Sequence, residues 1–325
     1  MFPRALLLCA ALCLAAPGLA AAEERGWDVG DVSELNFCLP ISILVAPTDE
    51  KNTSILVDAE PDVAQAFVAT VEDGVMGFGL DKGFVTEKAV RVTIFVPATA
   101  LKVIKNAGVG NVLLSEGFES DELELVNSGA GVIVAKGLDA KKVKVEHAGA
   151  GDVPIYLEGK IDMAEVKVKG VGDIYVLGVQ TSATVTIEGV SQVHISGERG
   201  MKVTGTINGL TDGVSIDNGE CDLQGRSPFG PGPSCDALED IPEPPAVEWQ
   251  CGVVVDGEKD CIAAVRNGAS ASASTRGNAM AFADASGAGE PASAVSGPSG
   301  VGASGNAVAG RDVQCKEGED LVIET

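Results

Sequence analysis

Short runs in which apolar and polar residues alternate strictly recur through residues 101–216. KVKVEH (142–147), EVKVKG (165–170) and TVTIEG (184–189) show it most plainly. A period of two is that of a β-strand with one buried face and one wet face. The pattern points Val143 and Val145 inward and Lys142 and Lys144 outward, and it repeats one unit later with Val166 and Val168. Each unit carries two strand-like runs. One set covers 123–126, 142–146, 165–169, 184–188 and Lys202–Ile207; the other covers 112–115, 132–135, 153–157, 174–177, 193–196 and Val214–Ile216. Between them stand Gly108, Gly129, Gly149, Gly170, Gly189 and Gly209, at steps of 21, 20, 21, 19 and 20 residues. A fixed period in this range marks a solenoid. Successive windings would stack about 4.8 Å apart, so that like residues form ladders. The glycines are expected at corners. There the backbone needs positive φ, or the stacked turns leave no room for a side chain.

Ahead of the repeat the pattern is less regular. Runs 41–46 and 54–58 predict short strands, and 63–71 a strand or short helix. Glu72-Asp73-Gly74 predicts a turn, Val75–Leu80 an apolar strand, and 90–96 a strand ending at Pro97. Residues 38–100 are therefore expected to form a cap and the first coils, because an open solenoid end exposes both a strand edge and the core. Beyond Gly225 prolines crowd residues 226–250, RSPFGPGPSCDALEDIPEPPAVEWQ, and cannot sit inside a ladder. The solenoid is thus expected over 38–225, followed by a Pro/Cys-rich linker and capping loop over 226–261. Residues 251–261 are expected to form a small disulfide-closed hairpin around Asp256-Gly257. The Ala/Ser/Gly-rich stretch 262–325 predicts a low-complexity tail, either disordered or a thin Ala-filled β-roll.

Composition sharpens this picture. Hydrophobic residues make up 45% of the 325-residue chain but aromatic residues only 4%, so the core must be thin and aliphatic. The formal charge is −24, from 23 basic and 47 acidic side chains. A phosphate backbone or an anionic membrane would be repelled, which argues against nucleic acid as a partner. Residues 1–22 carry Arg4, an apolar run over 5–16, the break Pro17-Gly18 and small residues up to Ala22. They predict a cleaved secretory signal peptide and hence a secreted or cell-surface protein. No later run is long enough to span a bilayer. Cys9 and Cys13 would leave with the signal. Cys38, Cys221, Cys235, Cys251, Cys261 and Cys315 remain, an even number that predicts disulfides although six thiols allow fifteen pairings. Short loops favour Cys221–Cys235 and Cys251–Cys261, leaving Cys38 for Cys315. Asn52-Thr53-Ser54 is a sequon for N-glycosylation.

A resemblance rests on one stretch of the chain. The run VEDGVMGFGL, then AVRVTIFVPATALKVIKNAGVGNVLL and the serial GAGD or GVGD corners, resembles the head GIN domain of putative autotransporter adhesins. The similarity covers about 41–225. It implies a right-handed parallel β-helix in a surface setting and supplies no catalytic residues to carry over. Val132 and Gln192 depart from the Asp of the corner motif, and Ser191 from its glycine.

Candidate chemistry is sparse. GxG before a strand, recurring coil after coil, is no dinucleotide loop, since that motif opens a helix. Asn111, Asp152, Asp173 and Asp212 occupy equivalent places after the corner glycines. Such a column can hydrogen-bond the turn backbone, hold Ca²⁺ through oxygens, or act as a hydrolase pair. His147 and His194 read as surface residues. Tyr156 and Tyr175 lie one coil apart and can stack on each other or on a sugar ring. The expectation is an all-β, right-handed parallel β-solenoid of about 20 residues per coil. It would act without enzymatic activity or cofactor, as a binding or adhesion-type protein whose partners are cell-surface or matrix glycans or proteins. The alternative is a carbohydrate-active enzyme, a polysaccharide hydrolase or lyase, using Asp152 and Asp173. The oligomeric state is left open.

Overall fold

The computed structural model describes residues 23–209, 213–225, 234–238, 240–246, 249–267 and 274–275. Residues 1–22, expected to be a signal peptide, Asp212, Cys315 and nearly all of the tail lie outside them. The strands before the repeat are β1 (Glu23–Gly30), β2 (Glu34–Phe37), β3 (Ile43–Thr48), β4 (Thr53–Ala59), β5 (Phe67–Glu72), β6 (Val75–Leu80), β7 (Phe84–Val85) and β8 (Arg91–Pro97), with a one-turn helix α1 (Pro61–Ala64). The repeat supplies β9 (Val103–Asn106), β10 (Val112–Leu114), β11 (Glu119–Asn127), β12 (Ile133–His147), β13 (Ile155–Val168), β14 (Ile174–Ile187), β15 (Val193–Gly197), β16 (Lys202–Ile207), β17 (Val214–Ile216), β18 (Glu220–Gly225) and β19 (Cys235–Ala237). After it come β20 (Val253–Val255), α2 (Cys261–Asn267) and β21 (Ser274–Thr275).

The repeat is a stack of parallel windings with two opposed faces. On the front face β2, β9, β11, the second halves of β12, β13 and β14, and then β16 and β18 pair in parallel. On the back face β8, β3, β10, the first halves of β12, β13 and β14, and then β15, β17 and β19 do the same. β12, β13 and β14 bend through the corner at 136–141 and its equivalents, so each serves both faces. The register matches the alternation in the sequence: Val143 pairs with Ala164 and Val145 with Val166, and all four are buried. Fully burying each of these valines contributes about 1.5–3 kcal/mol before chain entropy is subtracted.

The corner glycines are required for space, not for φ. A Cβ on Gly129 would overlap the carbonyl oxygen of Gly108, one on Gly149 that of Gly129, and one on Gly189 that of Gly170. None of these glycines has a positive φ. Behind each early corner sits a buried polar residue. The Asn127 amide donates to the carbonyls of Gly131 (2.6 Å) and Pro154 (2.9 Å), and its Oδ1 accepts from Gly129 N–H. Asn106 does the same for Gly110 and Gly108. His147 takes this place in the next coil and is fully buried, not a surface residue.

The coils do not follow sequence order at the start. β2 lies between β6 and β9, and β3 lies between β8 and β10. The chain makes one winding, leaves it to build the cap, and then passes it to resume the stack. The cap is antiparallel: β4 pairs with β1 and β8, and β5 with β6. It also holds most of the aromatic core, with Phe67 stacked on Phe78 at 5.4 Å. Antiparallel strands end the stack here because they break the register that a further winding would need.

The C-terminal segment corrects the expected local hairpin. Cys261 bonds to Cys38, not to Cys251, with Cα atoms 5.2 Å apart across 223 residues. Cys38 therefore does not pair with Cys315. Cys221–Cys235 forms as expected. Cys251 is also disulfide-bonded. After β19 the chain travels back to the cap, where Gln250 bridges Val90 and β20 pairs with β7. From β19 to β8 the back face counts eight steps, about 38 Å at about 4.8 Å each. Residues 240–246 on that path carry no regular secondary structure, which suits their prolines.

Candidate functional site

Four surfaces could carry function: the front face, the Asx corner column, the back-face ladder and the seam beside the return segment. The front face is flat and ordered because its strands stay in register over many coils. Its outward rows run Glu122–Lys142–Met163–Ser182–Lys202, then Glu124–Lys144–Glu165–Thr184–Thr204, then Glu146–Lys167–Thr186–Thr206. Charges pair between coils: Lys142 with Glu165 (2.9 Å), Lys144 with Glu122, and Lys167 with Glu146 (3.6 Å). The Lys144 ammonium, by hydrogen bond and then by charge, holds the Glu122 carboxyl below its ordinary range. Toward the far end the rows turn to hydroxyls. The face is thus a checkerboard of ion pairs running into a threonine array, with a cavity of about 420 Å³ at its edge lined by Thr99, Glu119, Ser120, Asp121, Asp139 and Lys141.

The Asx column is split in the structure. Asn111 Oδ1 accepts from Val132 N–H at 3.0 Å, and Asp173 Oδ1 accepts from Gln192 N–H at 3.2 Å. Each side chain thereby ties its corner to the next coil, as the backbone reading of these residues expects. Asp152 is exposed, and its carbonyl accepts from Asp173 N–H at 2.8 Å. Asp212 lies outside the described residues. Among the described residues no group of three His, Cys, Asp or Glu side chains gathers to hold a metal ion. Asn52, the sequon residue, is exposed and donates through Nδ2 to Asp28 at 2.8 Å.

The back face carries an outward ladder that the sequence reading missed in part. Leu113, Val134, Tyr156, Tyr175 and His194 lie in one column. All are buried although they point away from the coil interior. Tyr156 and Tyr175 stack at 5.9 Å, and Tyr175 and His194 at 4.3 Å. His194 is therefore not a water-facing residue. Burial pushes its imidazole below the ordinary value, against the pull of Asp173. The signal in the sequence was apolar outward residues in successive coils, which a wet face would not carry.

Beside this ladder, at the corner leading off the back face, a cavity of about 630 Å³ runs along the stack. Its floor is the backbone of Gly137, Gly159 and Gly178. Tyr156, Leu177 and Ile241 give apolar walls, and Glu116, Lys136, Glu158 and Ser196 give polar ones. Ile241 comes from the return segment and is 47% exposed. Burial first, and the Glu158 carboxylate next, raise the Tyr156 phenol above its ordinary value, so it stays a neutral hydroxyl.

At the cap, β6 explains why its sequence reads VMGFGL. Met76, Phe78 and Leu80 point inward, while Gly77 and Gly79 present bare backbone outward. A Cβ on Gly77 would meet Ile262 Cγ1 at 2.5 Å, and one on Gly79 would overlap the Lys259 carbonyl oxygen. The C-terminal clasp, 253–267, lies directly on this strand.

Comparison with known proteins agrees with this architecture. The sequence matches the family described as "Putative auto-transporter adhesin, head GIN domain" over residues 40–215, more than half the chain. No curated protein matches it. Among solved structures, a putative adhesin from Bacteroides fragilis superposes with a TM-score of 0.55 at 19% identity, covering 67% of this chain and 97% of that one. A protein from Parabacteroides distasonis described as a putative lipid binding protein gives a TM-score of 0.46 at 14% identity, covering 68% and 98%. No helix among the described residues is long and apolar enough to cross a membrane.

Proposed function

This chain belongs to the putative auto-transporter adhesin, head GIN domain family, and from that premise we propose that it is a secreted or surface-associated binding protein of adhesion type, without enzymatic activity. The observation that carries this reading is the front face. Its charged and hydroxyl side chains are fixed in rows by the coil register and present a repetitive surface to a cell-surface or matrix partner. The coil register fixes the spacing of these rows, which suits an extended or repeated ligand. The bonded cysteines support an oxidising compartment outside the cytosol, consistent with a signal peptide at 1–22. The polysaccharide-cleaving alternative has less support, because the Asp173 carboxylate is engaged by the Gln192 backbone amide and Asp152 stands exposed.

The test uses the full secreted chain in two assays. Biolayer interferometry against arrayed matrix proteins and cell-surface glycans should give saturable binding. A polysaccharide panel assayed for new reducing ends or unsaturated ends should give none. Cleavage that disappears in Asp152→Asn with Asp173→Asn would replace the binding reading with the enzymatic one.

A further inference from the structure

Resting on that surface-binding reading, we propose that the trench beside the return segment is a binding groove for a neutral, linear oligosaccharide. Its size falls within the range of small-molecule sites, about 300–1,000 Å³. Its shape is elongated. Glu158, Leu177 and Ser196 are register neighbours in successive coils, and Glu116 and Lys136 lie on the coils before them. From Glu116 to Ser196 the trench crosses four coil steps, about 19 Å. It therefore suits a chain of rings better than one ring.

The lining selects the ligand class. A Cβ on Gly159 or Gly178 would overlap the carbonyl oxygen of the preceding coil, and Gly178 also needs its positive φ of 90°. Their stacking leaves a floor without side chains, on which a flat ring can lie close to the backbone. The walls then alternate between apolar and polar. Ile241 meets C–H faces with the edges of the buried Tyr156 and Leu177 behind it, the Glu116 and Glu158 carboxylates accept from hydroxyls, and the Ser196 Oγ, which donates to Asp217 at 2.6 Å, can accept one more. A sugar chain offers both kinds of surface at every ring. An acyl chain would strip water from two carboxylates and return no hydrogen bond. A peptide would lie across the strands, whose N–H and C=O groups are already spent on coil-to-coil bonds, so strand addition is closed to it. Charge narrows the choice further. Two carboxylates face one ammonium on a chain of net charge −24, so sulfated and uronate-rich glycans are repelled.

The outer wall has a different origin from the floor. Ile241 lies beyond residues 40–215, the part that matches the family. A large apolar residue held over a polar-edged trench, and left 47% exposed, is placed to contact a ligand more than to fill the core. The return segment thus turns a generic corner of the coil into a groove particular to this chain.

Isothermal titration of the full secreted chain with cellohexaose, maltohexaose and mannohexaose tests the proposal, with hexagalacturonate as the charged control. Both wall residues to be changed, Glu158 and Ile241, are exposed, so neither variant should disturb folding, and melting curves verify that. At least one neutral hexasaccharide should bind, and Glu158→Ala and Ile241→Asp should each weaken it by about tenfold or more. Asp62→Ala, an exposed change on α1 at the cap and outside both proposed binding surfaces, should leave that affinity unchanged. The proposal is overturned if no neutral hexasaccharide binds, if both wall variants bind as tightly as the parent, or if hexagalacturonate binds as well. The two readings fail separately. A chain that grips matrix protein but no sugar loses the groove and keeps the surface role; a chain that binds sugar in the trench and cleaves it keeps the groove and loses the non-enzymatic role.

Discussion

The middle coils and the cap end are built from the same strands under opposite rules. In the coils each residue meets its equivalent about 20 positions away, the pairing is parallel and the interior is Val, Ile, Leu and Ala. At the cap the pairing turns antiparallel, Phe37, Phe67 and Phe78 fill the interior, and key contacts span nearly the whole domain. Cys38 meets Cys261, Gly77 faces Ile262, and Val85 pairs with Val254. A stack can be extended by repetition, but only non-local structure can end it. The difference predicts that damage in a coil is felt through the backbone of its neighbours, while damage at the cap is felt as the loss of one distant attachment.

The largest effect should come from a corner. Gly129→Val places a branched side chain on the Gly108 carbonyl, where there is only backbone to give way. Overpacking of this kind costs about 3 kcal/mol or more, and here two coils must separate to relieve it. Loss of the cooperative unfolding transition, or failure to recover folded chain, is expected by circular dichroism and denaturant titration. A variant that melts like the parent would show that the corners are looser than the stacked carbonyls imply.

Next in size is the long disulfide. Replacing Cys38 and Cys261 together by Ser frees a loop of 223 residues, worth about 5 kcal/mol in the chain-entropy account, against about 3 kcal/mol for the 14-residue loop of Cys221–Cys235. The midpoint in urea should fall further for the first pair than for the second. The reverse order would mean that the clasp is held by its packing and not by the bond. Gly79→Val asks the same question without touching sulfur. The new side chain would push Lys259 off β6, lowering stability by about 1–3 kcal/mol, with amide-exchange protection lost first at Val254 and Val255.

The same contrast decides what can be read from the chain alone. The coils are legible because KVKVEH or TVTIEG states its own geometry, and its partner repeats it one winding later. The corner column was legible as to place, and hydrogen bonding to the backbone was among its readings; what the sequence does not state is that Asn111 and Asp173 accept from the next coil and not from their own turn. The cap was not legible. Nothing local in VMGFGL says that a segment 180 residues away lies on its glycines, and loop length favoured Cys251 as the partner that Cys38 turned out to be. The trench was hidden for a related reason: half of it is a corner repeated by the coils, and the other half is Ile241 in a proline-rich stretch that no period reaches.

The smallest effect lies where a coil breaks its own rule. His147 stands where Asn106 and Asn127 stand, with Nδ1 3.1 Å from the Asn127 carbonyl oxygen and Nε2 3.1 Å from that of Val171. A neutral ring can donate to only one of them, so the other carbonyl faces a lone pair. Burial nevertheless pushes the imidazole below its ordinary value near 6.5, and the carbonyls of Val171 and Asn127 only partly oppose it. The folded chain then keeps the ring neutral where the unfolded chain protonates it. Stability from this group is complete above about 6.5 and declines as the pH falls through that value toward the lower folded one. His147→Asn restores the amide used in the two preceding coils and removes the titration. Urea titrations between pH 7.5 and 5 should show a shallower loss of stability for His147→Asn than for the parent, with a residual slope from buried His194. Equal slopes would mean that His147 keeps its ordinary pKa; a parent that gains stability in acid would mean that the two carbonyls outweigh burial and hold the ring as imidazolium.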